Sequence, residues 1–207
     1  MTSGGNLAQS LRLMLVTDDR LLRGRDLLSV CREAVAGGVT IVQLRRKLAS
    51  PRALADDVHR LKKSLSVPVL VNDRLDVAIA AGADGVHLGP DDIPVDIARR
   101  AAPGGFIIGA SVGSEKEAGI SGGADYWGIG PWRTTGTKAD AGEPLTADVI
   151  HALAIRAGQR PCVLIGGVRP GDVPVIRGLG AAGVAVVSGI LDADDVAGAA
   201  RAYSSQG

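Results

Sequence analysis

The sequence predicts an α/β protein folded as a single-domain (β/α)₈ barrel. Short apolar runs alternate with amphipathic helical segments eight times along the chain. The runs are apolar nearly throughout, which is typical of parallel strands that are covered on both faces. Repeated strand–helix order implies right-handed crossovers, and eight such units close into a barrel.

An open, doubly wound sheet is the alternative architecture. It would place a GxGxxG turn after the first strand, and residues 17–26 (TDDRLLRGRD) contain none. The chain has 207 residues, which makes a compact barrel against the roughly 250 that are typical. We expect residues 1–10 to be a flexible N-terminal segment and residues 11–207 to form the barrel.

Each element follows from its local residues. β-branched residues favour the strands, Ser50 and Pro51 open a helix as its N-cap and first residue, and Gly37 and Gly38 end another. The predicted strands are 11–17, 40–45, 68–72, 84–88, 106–111, 124–130, 161–167 and 183–188. The predicted helices are 26–38, 50–65, 75–82, 93–101, 115–123, 145–158, 171–180 and 193–204.

Composition excludes several function classes. The net charge is +1 and aromatic residues make up 2%, so we expect no nucleic-acid partner and no membrane partner. The two cysteines, Cys31 and Cys162, are predicted to be buried free thiols. We find no leader and no bilayer-length apolar run, so we expect a cytoplasmic protein. The sequence is compatible with a homo-oligomer.

Polar residues follow the predicted strands, and the carboxyl ends of all strands meet at one face of a barrel. They are Gln43, Arg45, Lys47, Asn72, Asp73, His87, Asp91, Asp92, Ser111, the Thr/Lys loop at 134–138, Gly166, Gly167, Ser188 and Gly189. Cations, hydroxyls and backbone N–H groups suit phosphate, and carboxylates suit Mg²⁺. The combination predicts a site for a magnesium-bound diphosphate.

The spacing of Gln43, Arg45 and Lys47 carries the strongest argument from the residues alone. Period-two spacing puts the three side chains on one face of a strand, which is the barrel interior. Polar groups buried there would be costly without a ligand or partners.

Seven segments that contain these residues resemble motifs of the thiamine-phosphate synthase family. They occur in the family's order, and the resemblance extends from about Met14 to Ile190. They are VQLRRK, VNDR, GVHLGPDD, IIGAS, ADYWGIGPWRTTGTK, IGG and GVAVVS. The resemblance implies a transferase of thiamine biosynthesis. The family joins hydroxymethylpyrimidine diphosphate to thiazole phosphate and releases pyrophosphate.

The resemblance also implies roles for individual residues. Asp73 and Asp92 would hold Mg²⁺, and Gln43 would face the pyrimidine. The diphosphate would bind to Arg45, Lys47, Asn72, Ser111 and Lys138, of which Arg45, Lys47, Ser111 and Lys138 would be catalytic. The thiazole phosphate would bind to Thr135, Thr137, Gly167, Val187 and Ser188. The implied mechanism is dissociative: the bond to pyrophosphate breaks first, and the thiazole nitrogen then attacks the pyrimidine methylene cation.

The chain departs from the family's pattern at three places. Pro90 stands where the family often has glutamine, and Gly113 stands where it often has histidine. Arg133 and Thr134 replace an aromatic residue and a proline before Thr135. The first and third departures concern substrate contacts and not the reaction class.

Several alternatives stay open at this stage. Asp73 and Asp92 could serve only as helix N-caps, or Arg45 and Lys47 could pair with them in a structural ion network. The chain could be a thiazole tautomerase-like isomerase, although Gly113 cannot transfer a proton, or a non-catalytic thiamine-pathway binding protein. His87 is predicted to be a satisfied inward-facing histidine, and Arg46 to point outward without a function.

Overall fold

The structure, a computed structural model, describes residues 4–134 and 142–206, and within these ranges eight parallel strands close into a barrel. Each strand pairs with its neighbours in chain order, and the last strand closes the ring by pairing with the first, where Val184 lies opposite Leu13. The predicted architecture is therefore confirmed. The strands are β1 Leu13–Val16, β2 Ile41–Leu44, β3 Val69–Asn72, β4 Gly85–Leu88, β5 Ile107–Val112, β6 Tyr126–Ile129, β7 Cys162–Ile165 and β8 Gly183–Val186.

Helices cover the outside of the ring. Ser50 caps its helix by accepting a hydrogen bond from the Ala53 N–H at 3.2 Å, with Pro51 as the first helical residue, as predicted. Over the described ranges the helices are α1 Gly4–Ser10, α2 Leu27–Ala36, α3 Pro51–Ser64, α4 Leu75–Ala80, α5 Val95–Ala101, α6 Glu115–Ile120, α7 Ala147–Ala157, α8 Val173–Gly178, α9 Ser188–Leu191 and α10 Val196–Ser204, with a 3₁₀ turn at Pro170–Asp172.

Strand alternation divides the core in two. Leu13 and Leu15 of β1 pack outward against the helices, whereas Met14 and Val16 pack inward. The inner cluster holds Leu7, Leu11, Met14, Val16, Ile41, Leu70, Ile107, Tyr126, Val163 and Ala185. The barrel interior is thus filled by side chains up to the level at which polar residues begin.

The predicted flexible segment at residues 1–10 is instead helical from Gly4 to Ser10. Leu7 and Leu11 lie one helical turn apart and join the inner core, with relative exposures of 9% and 0%. Two apolar residues with this spacing are enough to dock a turn of helix, and the polar residues around Leu7 hide the signal in the sequence.

Strand β2 is shorter than predicted and ends at Leu44. Gln43 lies on the strand and points into the barrel. Arg45 and Lys47 come after the end of the strand and lie in the loop that follows. The Lys47 side chain is 51% exposed, so the argument that all three side chains are buried in the core is wrong for Lys47.

Two other predictions can be compared with the described residues. Cys31 and Cys162 are buried and unbridged, as expected, and burial raises the pKa of Cys31 to about 12. None of the described helices has the length and apolar character needed to cross a membrane.

Candidate active site

A cavity of about 520 Å³ opens at the carboxyl ends of the strands. All predicted site residues within the described ranges line it, namely Gln43, Arg45, Lys47, Asn72, Asp73, Asp92, Ser111, Gly167, Val187 and Ser188. Thr135, Thr137 and Lys138 lie outside the described residues, so their roles stay predictions. The barrel therefore gathers into one cavity residues that are up to 145 positions apart in the sequence (188 minus 43).

Arg45 is held by the loop that follows β1. Its Nη1 donates to Asp18 Oδ2 at 2.7 Å, and its backbone N–H donates to Thr17 Oγ1 at 2.8 Å. Thr17 is fully buried and returns a hydrogen bond to the Arg45 carbonyl at 3.1 Å. The hydrogen-bonded partner of Arg45 is thus Asp18, and not Asp73 or Asp92.

Two carboxylates, Asp73 after β3 and Asp92 after β4, lie next to each other in the cavity. Burial raises the pKa of Asp73 above its usual value, and the neighbouring Asp92 carboxylate raises it further. Lys47 and Arg45 act in the opposite direction, and Lys47 Nζ lies 3.8 Å from Asp73 Oδ2. A carboxylate whose pKa is raised by burial and by a neighbouring carboxylate is short of positive charge, which is a property expected of a cation site.

Neither carboxylate caps the helix that follows it, so the N-cap alternative is wrong. The residue before α4 is Arg74 and the residue before α5 is Pro94, and neither helix has a side-chain cap. Asp92 Oδ2 instead accepts the Gly89 N–H at 2.6 Å. Asp73 has φ +65°, a left-handed conformation that is uncommon outside glycine. Strain of this kind is tolerated most often at functional sites.

The donor set fits Mg²⁺ bound together with a substrate. Across residues 4–134 and 142–206 there is no group of three or more His, Cys, Asp or Glu side chains that could hold a metal ion. Mg²⁺ is usually bound by one or two carboxylates, with waters and substrate phosphates completing its shell. Asp73 and Asp92 supply that number.

A chain of buried polar groups forms the floor of the cavity. Gln43 contacts the hydroxyl of Tyr126, which lies 2.9 Å from His87 Nδ1. His87 Nε2 lies 3.0 Å from Ser111 Oγ. Both ring nitrogens thus have partners, which confirms the prediction of a satisfied inward-facing histidine.

The contact between Ser111 and His87 is a pairing that the sequence did not indicate. In serine hydrolases the group beyond the histidine is a carboxylate, which stabilises the imidazolium. Here it is the phenol of Tyr126, which is fully buried, and burial raises its pKa so that it stays neutral. We therefore interpret the row of hydrogen-bonded groups from Gln43 through Tyr126 and His87 as one that orients the Ser111 hydroxyl.

The opposite wall of the cavity is built from backbone. Gly166 and Gly167 follow β7 with φ of +100° and +61°. A Cβ at Gly166 would lie 2.7 Å from Pro131 Cβ, so only glycine allows the two loops to approach this closely. The backbone N–H groups of Trp132 and Arg133 then donate to the carbonyls of Ile165 and Gly166, at 2.8 and 2.9 Å.

Two charged groups at this wall form an ion pair. Arg133 pairs with Asp172 through two contacts, one of them 2.7 Å from Nη2 to Oδ1. Arg133 Nη1 also donates to the Gly167 carbonyl at 3.2 Å. The departure from the family's pattern at Arg133 thus has a structural account, because the ion pair joins the loops after β6 and β7.

Among the described residues, Asp18, Tyr126 and Glu117 contribute polar groups to the site or to the residues that line it, and none of them was predicted to do so. Glu117 lines the cavity and accepts the Gly113 N–H at 2.5 Å. Tyr126 carries a usable signal, because it is the inward-facing residue of β6 and its hydroxyl requires a partner when it is buried. Asp18 and Glu117 reach Arg45 and Gly113 only because of how the loops fold. No periodic pattern in the sequence indicates such contacts.

Comparisons with known proteins agree with this geometry. The family model described as thiamine monophosphate synthase matches residues 13–190. A thiamine-phosphate synthase of Xanthobacter autotrophicus is 48% identical over 200 residues, covering 94% of each chain. One of Methanospirillum hungatei is 41% identical over 93% of this chain and 95% of its own.

The structural comparison gives the same result. A thiamine phosphate pyrophosphorylase of Pyrococcus furiosus superposes with a TM-score of 0.88 at 34% identity, over 97% of both chains. A 3-hexulose-6-phosphate synthase, at 19% identity and a TM-score of 0.71, shares the fold alone. The chain therefore belongs to the thiamine monophosphate synthase family and is a transferase.

Proposed function

We propose that this chain couples 4-amino-5-hydroxymethyl-2-methylpyrimidine diphosphate with thiazole phosphate, giving thiamine phosphate and pyrophosphate with the help of Mg²⁺. One observation carries the proposal: Arg45, Lys47, Asp73 and Asp92 line one cavity, with the two carboxylates adjacent. Two cations and a cation-seeking carboxylate pair suit a diphosphate that arrives with its own metal.

Asp73 and Asp92 would hold the metal. Bound there, Mg²⁺ would neutralise charge that develops on the leaving pyrophosphate. Arg45 and Lys47 add positive charge on the same side, and Asn72 adds an amide. Arg45 is preorganised by Asp18 at 2.7 Å, so its guanidinium needs little reorganisation when the substrate binds.

The proposed mechanism is dissociative and uses no protein nucleophile. The carbon–oxygen bond to pyrophosphate breaks, the electron-rich aminopyrimidine stabilises the methylene cation, and the thiazole nitrogen then attacks it. The chain's own residues supply charge and orientation. Ser111, aligned by His87 at 3.0 Å, would donate its hydroxyl to the diphosphate.

The thiazole phosphate is proposed to bind at the glycine-rich wall. Gly167, Val187 and Ser188 line the cavity there, and backbone N–H groups near glycines are suitable donors to a phosphate. Thr135 and Thr137 are proposed to complete this subsite, and Lys138 is proposed to bind the diphosphate with Arg45 and Lys47.

A coupling assay tests the proposal. The enzyme is mixed with both phosphorylated heterocycles, with and without Mg²⁺, and thiamine phosphate and pyrophosphate are measured. We expect equal amounts of both products with Mg²⁺, and chelation with EDTA to stop the reaction. Turnover that is unaffected by EDTA would remove the metal from the proposal.

The same assay decides between coupling and tautomerisation. A tautomerase needs a proton shuttle, and Gly113, where the family often has histidine, has no side chain to provide one. Isomerisation of the thiazole carboxylate phosphate without consumption of the pyrimidine diphosphate would favour that alternative. Binding of both ligands with no product would favour a non-catalytic role.

A further inference from the structure

Arg46 lies in the loop between β2 and α3 and joins three parts of the chain. Its Nε donates to Asp19 Oδ1 at 2.7 Å, in the loop after β1. Its Nη1 donates to Asp57 Oδ2, on α3. Arg46 points away from the cavity, as expected. Its side chain is nevertheless only 28% exposed, and its guanidinium group is bonded to two carboxylates.

The partners of Arg46 are well buried. Asp57 is 7% exposed although it lies in a surface helix, and the Asp19 side chain is 13% exposed. A buried carboxylate is costly unless it is paired. Arg60 lies 3.7 Å from Asp57 but is itself half exposed, so Arg46 is the closer and more buried partner.

The Asp19 carboxylate also fixes the backbone that follows Lys47. Asp19 Oδ2 accepts the Leu48 N–H at 3.2 Å. On the other side of Arg46, the Arg45 backbone and side chain are bonded to Thr17 and Asp18. The segment is thus anchored on both sides of Lys47, and Lys47 Nζ is directed to within 3.8 Å of Asp73.

We infer that Arg46 is a positioning residue for diphosphate binding: with Asp19 and Asp57 it holds the Arg45–Leu48 segment so that Lys47 faces the Asp73–Asp92 pair. The inference rests on the proposed function for the identity of the ligand. Arg46 does not line the cavity described above, so it acts through Lys47 and not by contact with the ligand.

Calorimetric titration of inorganic pyrophosphate with Mg²⁺ tests this without relying on turnover. Arg46→Met keeps the aliphatic stem and removes the guanidinium. We expect its Kd for pyrophosphate to rise about tenfold, and its affinity for thiazole phosphate to stay unchanged. Arg60→Met is the matched control, since it removes the same charge and a contact to the same Asp57 but leaves the loop anchored. We expect no change for that variant.

A second variant covers the case in which Arg46→Met does not fold. Asp19→Ala leaves Asp57 paired with Arg46 but frees the Leu48 amide. We expect the same selective loss of pyrophosphate affinity and faster hydrogen exchange of the Leu48 amide. Pyrophosphate affinity at the wild-type level in whichever of the two variants is folded, or an equal loss in Arg60→Met, would overturn the inference.

The outcomes separate this inference from the proposed function. A wild-type protein that binds pyrophosphate but forms no thiamine phosphate would overturn the proposed function alone. A wild-type protein that couples its substrates, with Arg46→Met binding pyrophosphate normally, would overturn the positioning role alone.

Discussion

The two walls of the cavity are built from different kinds of groups. The carboxylate side, formed by Arg45, Lys47, Asn72, Asp73 and Asp92, presents charged and polar side chains. The glycine side, formed by Gly166, Gly167, Val187 and Ser188, presents mainly backbone and a hydroxyl. Its nearby ion pair, Arg133 with Asp172, is satisfied internally.

The difference corresponds to what each side is proposed to bind. A diphosphate that leaves during the reaction gains charge, so groups that stabilise the transition state more than the ground state belong beside it. The phosphate of the other substrate does not react, so it needs to be bound with the same strength in the ground state and in the transition state. Backbone groups in a fixed position are sufficient for that. Substitutions on the carboxylate side should therefore lower kcat, and those on the glycine side should raise KM.

The largest effect is expected from Asp92→Ala. Losing one of two metal-holding carboxylates should lower kcat/KM for coupling by about 10²–10³, while the fold is retained because Asp92 caps no helix. Steady-state kinetics and thermal melting measure the two effects. Asp92→Asn is the control for the loop, since its amide oxygen can still accept the Gly89 N–H. An Asp92→Ala variant that unfolds, or one that is folded and fully active, contradicts the assignment.

Ser111 lies on β5, between the two sides, and Ser111→Ala tests how it acts. If the hydroxyl only donates to the diphosphate, its loss removes one hydrogen bond to a charged group, which is about 10–100-fold in kcat/KM. A nucleophile assisted by His87 would lose about 10³-fold or more, as in serine hydrolases. Pre-steady-state kinetics give a second readout, because a covalent intermediate would produce a burst of pyrophosphate.

A smaller and more selective effect is expected from Gly167→Ala on the glycine side. Its φ of +61° disfavours any side chain, and the new Cβ would lie 3.0 Å from Arg133 Cβ. We expect the resulting displacement of the glycine side to raise KM for thiazole phosphate about tenfold, which corresponds to about 1.4 kcal/mol of lost binding, and KM for the diphosphate to stay unchanged.

Gly158→Ala is the matched control for the strain in Gly167→Ala. Gly158 has φ +64° and follows α7, and a Cβ added there would have no atom within 4 Å. Both variants should lose thermal stability, but only Gly167→Ala should change KM. Equal kinetic effects from the two would show that the glycine side contributes only rigidity.

The two sides also differ in how far they could be predicted. The barrel follows from strand–helix periodicity, and with it the meeting of Gln43, Asn72 and Ser111 at one face, because inward positions on parallel strands are fixed by the period of two. These side chains lie where the pattern puts them. Arg45 and Lys47 reach the same cavity for a different reason, since β2 ends before them.

What periodicity could not supply is the geometry of the loops. The pairing of Arg45 with Asp18, the Arg46 network and the Arg133–Asp172 pair each join loops that are distant in sequence. Such contacts depend on the relative height of neighbouring strand ends, which is a property of the closed ring. No local pattern in the chain encodes it.

The smallest effect expected is on stability, from Asp73→Asn on the carboxylate side. Burial and Asp92 raise the pKa of Asp73 in the folded protein. A carboxyl group whose pKa is raised on folding contributes stability that is fully present below its unfolded pKa and is lost as the pH rises through the folded pKa. At pH 7 the ionised Asp73 therefore destabilises the ligand-free protein, and the neutral amide removes this effect. Asparagine also tolerates the φ of +65° at this position.

We expect the Tm of Asp73→Asn to exceed that of the wild type by about 2 °C at pH 7, since about 1 kcal/mol corresponds to about 2–4 °C in a chain of this size, and to equal it near pH 3.5, below the ordinary carboxyl pKa of about 3.9. Calorimetry at the two pH values measures the difference. Asp91→Asn, an exposed carboxylate at the same rim, should change nothing. Mg²⁺ with pyrophosphate should reverse the order by stabilising the wild type alone. A variant that is less stable than the wild type at pH 7 would mean that Lys47, at 3.8 Å, already compensates the pair and that no cation is required there.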